Sequence, residues 1–405
     1  MLFRSLDNIL VELSADQKPI FETHLTLAPG ESWQQTLPDN YPQRLTMTVK
    51  SAQGQTLLHY QEHQAQETSL PVPARAPAMP ENITNADELY FIGQHLEQYN
   101  HASRFAADYY RRAIELDPYD YRNNVALGTL ALNSADWVLA ERCARAALTR
   151  AHRLNKNPRD GEASMLLATA LERQGDITGA WDNYFKASWS GNCRDAAFWA
   201  LARLAMKRGD AKDALEKVTV SLQVNGANHL AMGLKALALF DCGHQDEALD
   251  FISQSLTQYP LSYPLHCARW LLAQDPESQA MLLQITGRRG INASMLSGWL
   301  VSLGRTDAAE KVLMLLDCQE TIPLLWQASL SQKREVRDRL LDAAQNCHAR
   351  HVRFPNTLDE VQMLQTLKDD PFAGYLLGCF WYSKRRYDEA VSCWQDTLVR
   401  LPDYA

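Results

Sequence analysis

A chain of 405 residues is longer than one hydrophobic core usually supports, and 46% hydrophobic with 22% charged residues excludes a largely disordered polypeptide. A formal net charge of −8 gives no broad electropositive field for nucleic-acid phosphates or for acidic membrane surfaces, so neither is expected as a partner.

The N-terminus carries Asp7, Glu12 and Asp16 where a signal peptide would need an unbroken apolar stretch, and no run in the chain approaches the roughly 18 residues that span a bilayer. A cytoplasmic protein is expected. Between about residues 6 and 60 apolar residues recur with a period of two: Ile9, Val11 and Leu13, then Phe21, Leu25 and Leu27, then Leu45, Met47 and Val49. Turn residues punctuate these runs at Asp16-Gln17-Lys18-Pro19, Pro29-Gly30-Glu31 and Gln53-Gly54. The pattern predicts a small antiparallel module of four or five strands over 1–60. Residues 61–82 are polar and proline-rich (Pro71, Pro73, Pro77, Pro80) and predict an extended linker.

Self-similarity at 34 residues governs the rest of the chain. Gly175, Gly209 and Gly243 repeat at that interval, as do Ala180, Ala214 and Ala248, and Ala168, Ala202 and Ala236. A small residue in a first helix lets a second helix approach closely, and a glycine releases the first helix at its C-terminal end. The spacing predicts helix pairs at about 86–118, 121–158, 161–194, 195–228 and 229–262, whose second helices end at residues such as Pro118, Gly226 and Pro260. Residues 263–370 read as degenerate helical repeats with one centre at Gly304-Arg305-Thr306-Asp307, and 371–405 as a final repeat ending at Pro402. The fold class is therefore mainly α: a right-handed tetratricopeptide-repeat (TPR) solenoid over 83–405 preceded by the β module. No capping helix follows the last repeat, so self-association through that end, or continuation in a longer parent, is expected.

Four segments carry a closer resemblance: Glu88–Arg104 (ELYFIGQHLEQYNHASR), Asn155–Glu162 (NKNPRDGE), Tyr184–Trp189 (YFKASW) and Arg353–Glu360 (RFPNTLDE). With them the chain resembles large bacterial proteins in which an aldose-mutarotase-like β-sandwich of uncharacterised function precedes TPRs. The resemblance implies a member truncated at the N-terminus and at the C-terminus. It transfers no sugar chemistry to the residues present.

No G-x-S-x-G elbow, Walker A loop or G-x-G-x-x-G occurs, so neither nucleophilic catalysis nor a nucleotide cofactor is indicated. The eight cysteines stand singly, without a C-x-x-C pair, and read as small buried hydrophobes. Cys347, His348 and His351 give helical metal-ligand spacing, yet lack a second pair, so no metal is expected. His95, Tyr99 and His101 cluster near the first helix end and read chiefly as a packed turn, with recognition as the sharper alternative. Of the tryptophans at 181, 189, 199, 270, 299, 326, 381 and 394, most are expected between repeats. The concave face of the first helices should present positions 2, 5, 9 and 12 of each repeat: Arg122, Val125, Thr129, Glu162, Met165, Thr169, Glu172, Trp199, Arg203 and Met206. That mixture suits a groove for a peptide or partner protein, with no enzymatic activity and no cofactor. The alternatives are the regulatory, non-catalytic half of a carbohydrate-related protein, or a gene fragment without function.

Overall fold

The computed structural model describes residues 5–37, 44–62, 73, 75–153, 155–349 and 352–401. Pro71, Leu154, His351 and Pro402 lie outside the described residues. The chain divides into two compact units at Ala76/Pro77.

In the first unit β1 (Leu6–Ala15), β2 (Lys18–Leu27), β3 (Leu45–Lys50) and β4 (Thr56–Gln61) form one antiparallel sheet in the order β2-β1-β3-β4. Alternation places Ile9, Val11 and Ala15 of the central strand in its buried set. Asp16 and Gln17 both take positive φ (45° and 66°), the two-residue geometry whose twist matches the flanking strands. Pro19 lies beyond that turn, within β2 and opposite Ser14 at a register shift. An edge strand tolerates it there, because the missing N–H leaves solvent, not a neighbour, without a partner.

The second unit is an array of helical hairpins introduced by a 3-10 turn at Pro80–Asn82. The first five pairs are α1 (Ala86–Tyr99) with α2 (Ala106–Leu116), α3 (Tyr121–Asn133) with α4 (Trp137–His152), α5 (Glu162–Arg173) with α6 (Ile177–Ala187), α7 (Arg194–Lys207) with α8 (Ala211–Val224), and α9 (His229–Asp241) with α10 (Gln245–Gln258). Three more follow: α11 (Tyr263–Ala273) with α12 (Pro276–Thr286), α13 (Gly290–Ser302) with α14 (Thr306–Leu316), and α15 (Thr321–Leu330) with α16 (Arg334–His348). A lone helix, α17 (Leu358–Thr366), then separates these from the last pair, α18 (Pro371–Ser383) with α19 (Tyr387–Arg400). Among the described residues no helix is long and apolar enough to cross a membrane.

The local chemistry behind the hairpins is repetitive. Asp120, Asp136, Asp176 and Asp210 each accept a backbone N–H in the first turn of the helix they precede. Gly175, Gly209, Gly243 and Gly304 take φ of 90°, 83°, 85° and 76° between the two helices of a pair, a region where a side chain is strained. Through residues 263–330 the hairpins persist although the 34-residue signal fades: Gln274 (φ 50°) makes the left-handed end of α11 without glycine, Gly304 keeps the α13–α14 turn, and Asp317 (φ 45°) ends α14.

Small residues in the first helices are sites of close approach. A methyl group on Gly93 would overlap the buried Tyr110 ring, lying 2.8 Å from Cζ, and one on Gly378 would overlap the Trp394 indole. We expect Gly93→Ala to destabilise the array by about 1–3 kcal/mol despite the higher helix propensity of alanine, because neither ring nor backbone has room to yield. Urea denaturation of the intact chain measures it, with Gly226→Ala, at a roomier site, as the reference.

The core runs without interruption from the α3–α4 turn (Ala135) through Leu234, Leu265 and Trp299 to Phe380 and Trp381. Trp299, Trp326 and Trp381 are buried, Trp181, Trp199, Trp270 and Trp394 are packed against the same core, and Trp189 is 63% exposed. Residues far apart in sequence meet in this unit. Arg173 on α5 donates to Asp359 Oδ1 (3.0 Å) and Gln362 Oε1 (2.7 Å) on α17, and Arg386 donates to the carbonyls of Ser134 (3.1 Å) and Ala135 (2.9 Å).

Candidate partner-binding surface

The row formed by successive first helices starts with an arginine held between aromatic rings. Arg122 on α3 pairs with Asp87 of α1 and places its guanidinium 5.0 Å from the Tyr90 ring centre and 5.7 Å from that of Phe91. Phe91 is 58% exposed, so an apolar ring and a stacked cation are presented together. Val125 and Met165, one repeat on, are half-buried, and Thr129 is exposed with its hydroxyl donating to Val125 O. Glu162 is exposed at the start of α5; partial burial and then the charge of Asp160 push its carboxyl above its ordinary pKa, against a hydrogen bond from Asn192.

Further along the same row the candidates turn inward. Arg203 Nη2 lies 2.5 Å from Glu172 Oε2, and both side chains are mostly buried. The Tyr184 hydroxyl donates to the same carboxylate oxygen at 2.8 Å and lies 3.3 Å from Thr169 Oγ1. Met206 is buried in the core and Trp199 packs against it. The structure thus joins Thr169, Glu172 and Arg203 into one bonded group and leaves Arg122, Val125, Thr129, Glu162 and Met165 along a more open stretch.

The other clusters singled out in the sequence differ in burial: the one at His95 and Tyr99 is exposed, and the one at His348 is buried. The His95 and Tyr99 rings lie tilted against one another, centres 4.6 Å apart, while His101 Nδ1 accepts from Ser103 N. His348 is buried against Phe354, Phe372 and Tyr375, desolvation lowers its pKa against a backbone hydrogen bond at Arg353, and Cys347 Sγ donates to Gln319 O. Among the described residues no group of three His, Cys, Asp or Glu side chains could hold a metal ion.

One arrangement is not foreseen from the sequence. The α17 carboxylate of Glu360, 3% exposed, accepts from Ser294 Oγ on α13 (3.1 Å) and from the backbone N–H of Asn356 (2.9 Å) and Thr357 (3.3 Å), with Arg353 at 3.4 Å. Trp326 Nε1 on α15 donates to the same Ser294 oxygen at 3.0 Å. The signal for it is Thr357-Leu358-Asp359-Glu360, a capping box ahead of a short apolar run.

Comparison with known proteins agrees with both units. Residues 3–60 match the family described as YphG-like protein, second domain, and residues 125–188 match the tetratricopeptide repeat. A tetratricopeptide repeat protein from Parabacteroides merdae is similar at 16% identity, over 64% of this chain and 99% of that chain, with a TM-score of 0.44. The C-terminal part of a TPR repeat-containing protein from Cytophaga hutchinsonii is similar at 11% identity, over 69% and 98%, with a TM-score of 0.38. The MamA protein is similar at 17% identity, over 42% and 90%, with a TM-score of 0.37. The chain is mainly helical, a TPR-type array with a small four-stranded antiparallel sheet at its N-terminus.

Proposed function

We propose that the helical unit is a protein-interaction or scaffold module that takes a peptide or partner protein along its first-helix row. The observation that carries this reading is the Arg122 guanidinium held over Tyr90 and Phe91 with Phe91 open to solvent. Aromatic and arginine side chains supply most of the energy of interfaces, and an arginine already fixed by stacking and an ion pair loses less freedom on binding. Val125, Thr129, Glu162 and Met165 continue the surface, while the Glu172–Arg203–Tyr184 group braces it from within.

Affinity capture with the full chain, read by mass spectrometry, tests the proposal. A partner retained by the wild type should be lost by Phe91→Ala with Arg122→Ala and kept by Trp189→Ala, which alters an exposed aromatic away from the row. Equal retention by all three proteins sinks the assignment of the surface. A second reading, the non-catalytic half of a carbohydrate-related protein, rests on the resemblance carried by Glu88–Arg104, Asn155–Glu162, Tyr184–Trp189 and Arg353–Glu360; the match of residues 3–60 to a second domain adds a domain order and no sugar chemistry. It requires a mutarotase-like protein among those the same experiment captures.

A further inference from the structure

Every hairpin turn built on glycine puts that glycine where a side chain would be strained, and among the turns that do without are two that meet each other. Ala135 (φ 54°) occupies the position in the α3–α4 turn and Arg385 (φ 61°) in the α18–α19 turn. These two turns touch, through Arg386 on the carbonyls of Ser134 and Ala135. Beside the contact lies a cleft of about 850 Å³, between the first two hairpins and the last, a volume typical of ligand sites.

The lining has an apolar floor, including Leu96, Leu127, Leu130 and Leu139, and a charged rim. The rim's acids are already engaged: Glu97 accepts from the Tyr110 hydroxyl (2.5 Å), Asp108 from Arg111 (3.0 Å) and Asp136 from Leu139 N (3.0 Å). Arg386 is engaged as well, by Glu389 and the two carbonyls. Three cations remain. Arg385 lies over the Phe105 ring at 3.2 Å, Lys384 is 5.3 Å from the Phe380 ring centre, and Arg104 keeps a solvent-shielded Nε without a hydrogen-bond partner among the described residues. None of the three pairs with a carboxylate among the described residues.

From this charge imbalance over an apolar floor we infer that the cleft binds an acidic segment of a protein partner, its carboxylates at Arg104, Lys384 and Arg385 and its apolar side chains on the leucine floor. Three unpaired cations are too few to form a stripe of the kind that tracks a nucleic-acid backbone, and the chain as a whole is acidic. A small anion such as free phosphate would leave the partly exposed Leu130 and Leu139 uncovered, with Leu96 and Leu127 buried beneath them. The site is separate from the Phe91–Arg122 surface and does not depend on it.

The test is fluorescence anisotropy of the full chain with a labelled short peptide alternating leucine and glutamate. Saturable binding is expected, weakened at least tenfold in Arg385→Gly with Lys384→Gln and weakened similarly when the peptide's glutamates become glutamines. Arg385→Gly alone should keep or raise the melting temperature, since glycine adopts positive φ freely, while binding falls; a merely structural arginine would not separate the two readouts. Arg288→Gly, the same exchange at another positive-φ arginine (φ 51°) outside the cleft, should bind as the wild type does. Undiminished binding by the double variant or by the glutamine peptide overturns the inference. So does inorganic pyrophosphate competing as tightly as the peptide, which would make the cleft a small-anion site.

Discussion

Glu172→Ala is expected to destabilise the helical unit by about 3–5 kcal/mol, because it strands Arg203 as an unpaired, largely buried charge and leaves the Tyr184 hydroxyl with only the longer contact to Thr169. Replacing both members, as in Glu172→Leu with Arg203→Met, should recover most of that loss, since the desolvation of two charges disappears together with their attraction. The pair also sets a pH dependence. Burial pushes the Glu172 carboxyl up, but the hydrogen bond and charge of Arg203 and the Tyr184 hydroxyl outweigh it, and the net pKa lies below the ordinary glutamate value. A depressed folded-state pKa means that the unfolded chain takes up the proton first as pH falls. The contribution is therefore complete above the unfolded value of about 4.3 and is lost as pH drops through the folded one. Acid titration of stability should show a steeper fall below about pH 4.3 in the wild type than in the doubly substituted protein. Parallel curves would show that the pair contributes nothing there.

What the sequence made legible was the part of the fold set by local rules. Period-two alternation in Ile9 and Val11, and Asp16-Gln17 at the first turn, are consequences of strand and turn geometry over a few residues. The glycines at 175, 209 and 243 report a backbone conformation, and the alanines at 168, 202 and 236 a helix separation. Each leaves its mark at a fixed interval. The α11–α12 hairpin was harder to read because Gln274 achieves the same left-handed end without glycine.

The candidate surface was less legible for a nonlocal reason. Positions 2, 5, 9 and 12 do lie on the first helices, but which of them stay open depends on what arrives from elsewhere in the chain. Arg173 meets α17 across 186 residues of sequence, and the α3–α4 turn meets Arg386 across 251. No periodicity within one repeat encodes such a meeting. The turns Ser134-Ala135-Asp136 and Lys384-Arg385-Arg386 lack the glycine, as other turns of the array also do, so nothing in the sequence marks these two as meeting.

Glu360 is the residue on which that long-range packing turns. Its carboxylate serves three elements: it completes the capping box of α17, accepts the Ser294 hydroxyl of α13, and through Ser294 holds the Trp326 indole of α15. Glu360→Ala removes an acceptor from two backbone N–H groups, a serine and an arginine at a site closed to water, so about 3–5 kcal/mol of stability should be lost. Glu360→Gln keeps the volume and one good acceptor, and should cost less, about 1.5–3 kcal/mol, the worth of a hydrogen bond to a charged group. Hydrogen exchange locates the effect. If α17 is held chiefly by this carboxylate, the amides of 358–366 should lose protection in Glu360→Ala well before those of α9, and Arg173 should lose its partners Asp359 and Gln362 at the same time. Uniform loss across the array would mean that α17 is fixed by its apolar side chains, Val361 and Leu364, and that the buried carboxylate only completes a helix end.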